Sequence, residues 1–186
     1  MSTGLKVLPI SALIILAILG IANATITFSE FPVGTDITNQ YAPDNVLFSP
    51  GPIGNADPII ADDSAMPNSP VLSPNPPFAG DFFMTFPTPI AGVVFDSGYW
   101  DELQTGVIDV YGPGDVLLET LTNQGLGVFT FDISGVGPIA KIYFNSSVDP
   151  AGADIDNLRT VPEPATMILL GSGLLGLWGA RRKSKK

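Results

Sequence analysis

The chain of 186 residues contains neither cysteine nor histidine. Disulfides, thiol nucleophiles, lipid-modified cysteines, imidazole zinc ligands and a Ser-His-Asp triad are therefore excluded within it. Positive charge is nearly as scarce in the middle of the chain. Between residues 25 and 160 only Lys141 and Arg159 are basic, against seventeen acidic residues, a net charge of −15. Such a body repels phosphate backbones, which argues against nucleic acid as a partner and favours divalent cations or neutral sugars. The same stretch shows no apolar stripe at helical spacing.

What is present stands first at the two ends. Residues 1–24 read MSTGLKVLPISALIILAILGIANA, with Lys6 ahead of an apolar run from Ile10 to Ile21. Ala22 and Ala24 flank Asn23 in a small-x-small cleavage pattern, so residues 1–24 are expected to be a signal peptide and the mature chain to begin at Thr25, the alternative being an uncleaved N-terminal anchor, for which the apolar run is short. At the other end, Ala165 to Ala180 runs for sixteen residues without a charge. As a helix it would be about 24 Å long at ~1.5 Å per residue, short of a hydrocarbon core of about 30 Å. Gly171, Gly173, Gly176 and Gly179 weaken that helix further. Ser172, Gly176 and Ala180, spaced four apart, either form a face for a close helix neighbour or are small residues with no partner. Arg181, Arg182, Lys183, Lys185 and Lys186 follow as a basic stop that stays cytoplasmic. Ahead of the span, Pro162 and Pro164 cannot continue a helix and hold Glu163 in extended chain.

Val161-Pro162-Glu163-Pro164, a short span rich in Gly and Leu, and a terminal basic cluster together resemble a PEP-CTERM sorting signal over residues 161–186. The resemblance implies export across the inner membrane of a Gram-negative bacterium that makes exopolysaccharide. It implies a transient inner-membrane anchor through a transmembrane helix at 165–180, and handling by an exosortase whose catalytic residues belong to that partner. Pro162, Glu163 and Pro164 would be the recognition residues. The final location implied is the cell surface or the extracellular matrix.

In the body, residues 25–160, short apolar or alternating runs recur between turn residues. Strands are expected at 25–28, 45–48, 82–86, 92–95, 105–111, 116–121, 127–131, 140–144 and 154–159, which points to an all-β antiparallel sandwich. VIDVYGPGDVLLETL is the clearest hairpin, with Ile108 and Val110 on one face and Val107, Asp109 and Tyr111 on the other. Residues 49–80 hold eight prolines and read as an extended surface loop or lid; with Asp57, Asp62 and Asp63 it also has the means to carry a site. The order GVVFDSGYWDELQTGVIDVYGPGDVLLETL, PIAKIYF, GADIDNLR is similar to jelly-roll modules of the galactose-binding-like kind, over residues 82–160 with the opening strand 26–30. That resemblance implies a jelly-roll-like sandwich and, in many such modules, carbohydrate binding.

Two candidate sites follow. Asp154 and Asp156 point the same way on a strand and offer hard oxygens. In the resembled modules a structural calcium often joins an acidic residue near the first strand to carbonyls and a carboxylate near the last, which implies Glu30 and Asp156 here, with Asp154 beside them; the alternative is carboxylates that cap turns or face water. Tyr99 and Trp100 in SGYWD are the second candidate, as a stacking platform for a sugar ring, the alternative being core aromatics. Asp101-Glu102 is a poor glycosidase pair, because adjacent strand residues face opposite ways. No catalytic constellation is recognisable. The expected protein is thus a non-enzymatic, exported β-sandwich that associates with exopolysaccharide or biofilm. The alternatives are a carboxylate-dependent carbohydrate-active enzyme and a purely structural matrix protein.

Overall fold

The computed structural model describes residues 25–53, 56–66 and 69–161. The expected signal peptide, the sorting motif, the expected transmembrane helix and the expected basic stop lie outside them. Among the described residues no helix is long and apolar enough to cross a membrane.

The body is an antiparallel β-sandwich of eight strands: β1 (Leu47–Pro50), β2 (Ile59–Ala61), β3 (Val71–Ser73), β4 (Asp81–Trp100), β5 (Val107–Gly112), β6 (Val116–Thr122), β7 (Gly127–Asn145) and β8 (Asp154–Val161). The hydrogen-bonded order is β2-β3-β8-β4-β7-β5-β6, with β1 also on β4. The two long strands are the spine. Asp81 stands opposite Asn145 at one end of the pair and Trp100 opposite Gly127 at the other. Register shifts between Thr85 and Ile90 and between Ile90 and Gly92 interrupt this pairing. Pro87, Pro89 and Pro138, which lack a donor for the ladder, fall in that region. The sheet turns there from one layer into the other. On one side β1, β5 and β6 extend it; on the other, β8, β3 and β2 do.

Alternation fills the space between the layers. Phe82, Met84 and Phe86 from β4, Ile108 and Val110 from β5, and Ile142 and Phe144 from β7 meet Val93, Phe95, Phe131, Ile133 and Ile155 in one core. The expected pairs of strands at 82–86 and 92–95, and at 127–131 and 140–144, are therefore halves of single long strands. The opening run at 25–28 makes only an isolated bridge, Ile26 to Leu158.

The proline-rich stretch departs from the loop expected of it. Ile60 and Leu72 reach the core from β2 and β3, while Ala61, Met66 and Val71 form a second small cluster with Phe78 against it. Prolines 58, 70 and 74 sit just outside these three-residue strands, so no ladder donor is lost within them. Four connections, residues 74–80, 101–106, 123–126 and 146–153, cross between the layers at one end of the sandwich. That end carries the candidate site.

Candidate functional site

Trp100 and Tyr99 are adjacent at the end of β4 and so face opposite ways. Trp100 is fully buried and tilted against Phe144, 6.2 Å between ring centroids. Gly106 makes room for it, since a Cβ there would collide with the indole ring. The stacking role expected of Trp100 is thereby corrected: it is core. Tyr99 is 48% exposed, and its ring lies over Gly127, where a side chain would be crowded.

Tyr99 lines an open pocket of about 280 Å³ with Asp63, Ala65, Phe78, Ala151 and Gly152. Gly152, at φ +76°, lies so close beneath the Phe78 carbonyl that any Cβ would clash with it. Ala153 N–H donates to that same carbonyl at 3.1 Å. The Ser146 hydroxyl, within 3.3 Å of the carbonyl oxygens of Phe78, Gly80 and Ala153, ties the same corner together. The 146–153 connection is also tied to the 101–106 connection by Asp149, whose Oδ2 accepts from the Thr105 hydroxyl at 2.9 Å and from the Asp101 backbone N–H at 3.2 Å. The pocket is thus built on loops held by buried polar contacts. Exposed Leu103, Leu126 and Val148 stand on the neighbouring connections.

Behind the pocket the outer face of β8 is acidic. Leu72 pairs with Ile155, so Val71 and Ser73 share their other face with Asp154 and Asp156. The β2–β3 loop covers this face. Asp154 and Asp156 are both fully buried. The Asp154 carboxyl meets the Asp63 carboxylate in a side-chain hydrogen bond. Burial first, then the charge of Asp63 and the hydrogen bond to it, and then the charge of Asp156, push its carboxyl up to about 9. Asp63 is held in place by its own loop: its Oδ1 accepts from the Ala65 N–H at 2.8 Å, and its N–H donates to the Ser69 hydroxyl at 3.0 Å.

Glu30 is used elsewhere. It accepts a hydrogen bond from the Tyr41 hydroxyl at 2.9 Å, and burial together with that carboxylate raises the Tyr41 phenol above its ordinary range. Among the described residues no three acidic side chains gather in a way that would hold a metal ion. The trio Glu30, Asp154 and Asp156 is therefore not brought together. Asp63 and Phe78 were the residues hardest to find from sequence; the acidic pair Asp62-Asp63 in the proline-rich stretch was the only signal.

The chain leaves this domain at Val161, the end of β8, directly into Pro162-Glu163-Pro164. Residues 160–183 match the PEP-CTERM protein-sorting motif. The motif implies an exported protein, processed by an exosortase and held transiently in the membrane through its C-terminal segment. No curated protein matches the chain. Among solved structures, a mutant of a family 29 carbohydrate-binding module, studied for its ligand recognition, is similar over 63% of this chain and 92% of its own, with 15% identity and a TM-score of 0.32.

Proposed function

We propose that this PEP-CTERM protein is a non-enzymatic carbohydrate-binding protein of the cell surface or the extracellular polysaccharide matrix of a Gram-negative bacterium. The observation that carries the reading is the half-exposed ring of Tyr99 on the wall of an open pocket, with Asp63 as a polar partner and Phe78 on the same lining. An aromatic face beside a few fixed polar groups is what a sugar ring requires. The position of the pocket supports the same reading. β8 starts at the pocket with Asp154 and ends at Val161, seven steps of about 3.3 Å away, so a chain tethered by its tail presents the pocket away from the membrane. Binding is favoured over hydrolysis because the pocket lining contains a single carboxylate, Asp63, whereas glycosidases flank the bond with two. Asp154 has the raised pKa of a general acid, but it is fully buried behind the lining and does not reach a substrate.

The expected affinity per molecule is weak, gaining strength through many copies on a repeating polymer. Tyr99→Ala should lose most retention on the producer's exopolysaccharide while melting like the wild type, since an exposed ring contributes little to the core. Unchanged retention in that variant would remove the pocket from the reading. New reducing ends released from the polymer, and abolished by Asp63→Asn, would replace binding by hydrolysis.

Sorting is tested separately. Changing Pro162, Glu163 and Pro164 together to Ala should leave an unprocessed form in the membrane fraction, visible by intact mass. Maturation and release at the wild-type rate would remove these residues from recognition.

A further inference from the structure

The sorting motif holds the chain in the membrane through its C-terminal segment, and this decides which end of the sandwich lies near lipid. β8 ends at Val161, and the apolar run begins at Ala165. Four steps of at most about 3.6 Å keep these two residues within about 14 Å of each other. The headgroup layer alone is about 6 Å deep on each side, so the end that β8 leaves from rests close to it. Register shows what else lies there. Val161 pairs with Gly92, Gly92 with Ser134 and Ile90 with Ile139, at the bends of β4 and β7. Gly112, at the turn of the β5–β6 hairpin, lies against the Pro138 carbonyl: a Cβ there would stand 3.4 Å from its oxygen. The tip of that hairpin is therefore at the anchored end.

The tip is apolar without being needed in the core. Val116 and Leu117 are 58% and 54% exposed. Successive strand residues face opposite ways, so neither side of the tip is covered and it projects beyond the sandwich. A bulge arranges this. Val110 pairs with Glu119 and Tyr111 with Leu117, so Leu118 is the extra residue; it packs against the core while Val116 and Leu117 stay out. Pro87, Pro113 and Pro138, exposed at the same end, carry no backbone N–H that would need water. Charge is low there too. Asp44, next to the Asn45 that bonds Thr88, and Asp115 are the acidic residues of these turns, and Asp115 is paired with Lys141. We infer that Val116 and Leu117 dip into the lipid bilayer at the boundary between headgroups and acyl chains, and so hold the anchored domain with its pocket end outward. Two side chains bind a membrane poorly alone, but the tether keeps them at a local concentration in the millimolar range. Processing of the tail removes that advantage, and the tip then releases. The contact requires no sugar and stands whether or not the pocket binds one.

The test uses the full chain, reconstituted in phosphatidylcholine vesicles and recovered with them by flotation. Because the chain has no cysteine, Leu117→Cys can be labelled alone with a dye whose emission brightens and shifts to the blue out of water. Leu103→Cys, 56% exposed on the 101–106 connection at the pocket end, is the reference. Both positions are exposed, so both labelled proteins should melt like the wild type. The dye at 117 should be blue-shifted and should lose most of its emission when nitroxide-bearing lipid is included. At 103 it should report water and keep its emission. Val116→Asp in the 117-labelled chain should return the dye to its emission in water, because a charge at the tip resists entry into lipid. Equal emission and equal quenching at the two positions would overturn the contact. So would a blue-shifted dye at 117 that lipid nitroxide does not quench, which would place a second copy of the chain on the tip instead of lipid.

Discussion

Trp100→Ala is expected to destabilise the body by about 3–5 kcal/mol, the usual loss for deleting a large buried aromatic ring. The ring is fully buried, packs on Phe144, and fills the space that Gly106 leaves open. Its removal therefore leaves a cavity that backbone on either side cannot close without disturbing the 101–106 connection. Such a loss is a large part of the 5–15 kcal/mol that typically holds a domain folded. It should appear as a lower denaturant midpoint in urea melts followed by circular dichroism. Loss of polysaccharide retention in this variant would follow from unfolding, which is why Tyr99→Ala is the binding test. A Trp100→Ala protein that melts like the wild type would show that the ring is not part of the core.

Stability is expected to fall as pH rises from about 4 to about 9, and Asp154→Asn should flatten that fall. The ordinary carboxyl value is 3.8, and burial with two neighbouring carboxylates pushes the folded Asp154 up to about 9. Between those values the folded chain holds a proton that the unfolded chain has released. Raising the pH then favours unfolding, by mass action on that proton. Below about 4 both states are protonated and the effect vanishes; above about 9 both are ionised and it levels off. Asparagine keeps the shape, stays neutral and can donate to Asp63, so the variant should melt above the wild type at pH 8 and lose that advantage at pH 4. Parallel pH profiles for the two proteins would mean that Asp154 titrates normally.

Much of this protein was legible because it is written in short, local patterns. The sorting motif at residues 160–183 is a run of neighbouring residues, so no fold is needed to recognise it. Strand alternation is equally local. Ile108 and Val110 point inward and Asp109 outward because successive strand residues oppose each other. Alternation also implied that Tyr99 and Trp100 part company, but not which of them meets solvent. That depended on Gly106, which is close to Trp100 only after the 101–106 connection has crossed between layers. Likewise Asp154 and Asp156 on one strand face were evident, whereas their burial was decided by the β2–β3 loop, a segment some ninety residues earlier in the chain. Glu30 went to Tyr41 rather than to a metal for the same reason. Periodicity and punctuation are properties of neighbouring residues; burial, and with it the chemistry of a carboxylate, is set by whatever distant segment comes to lie on top.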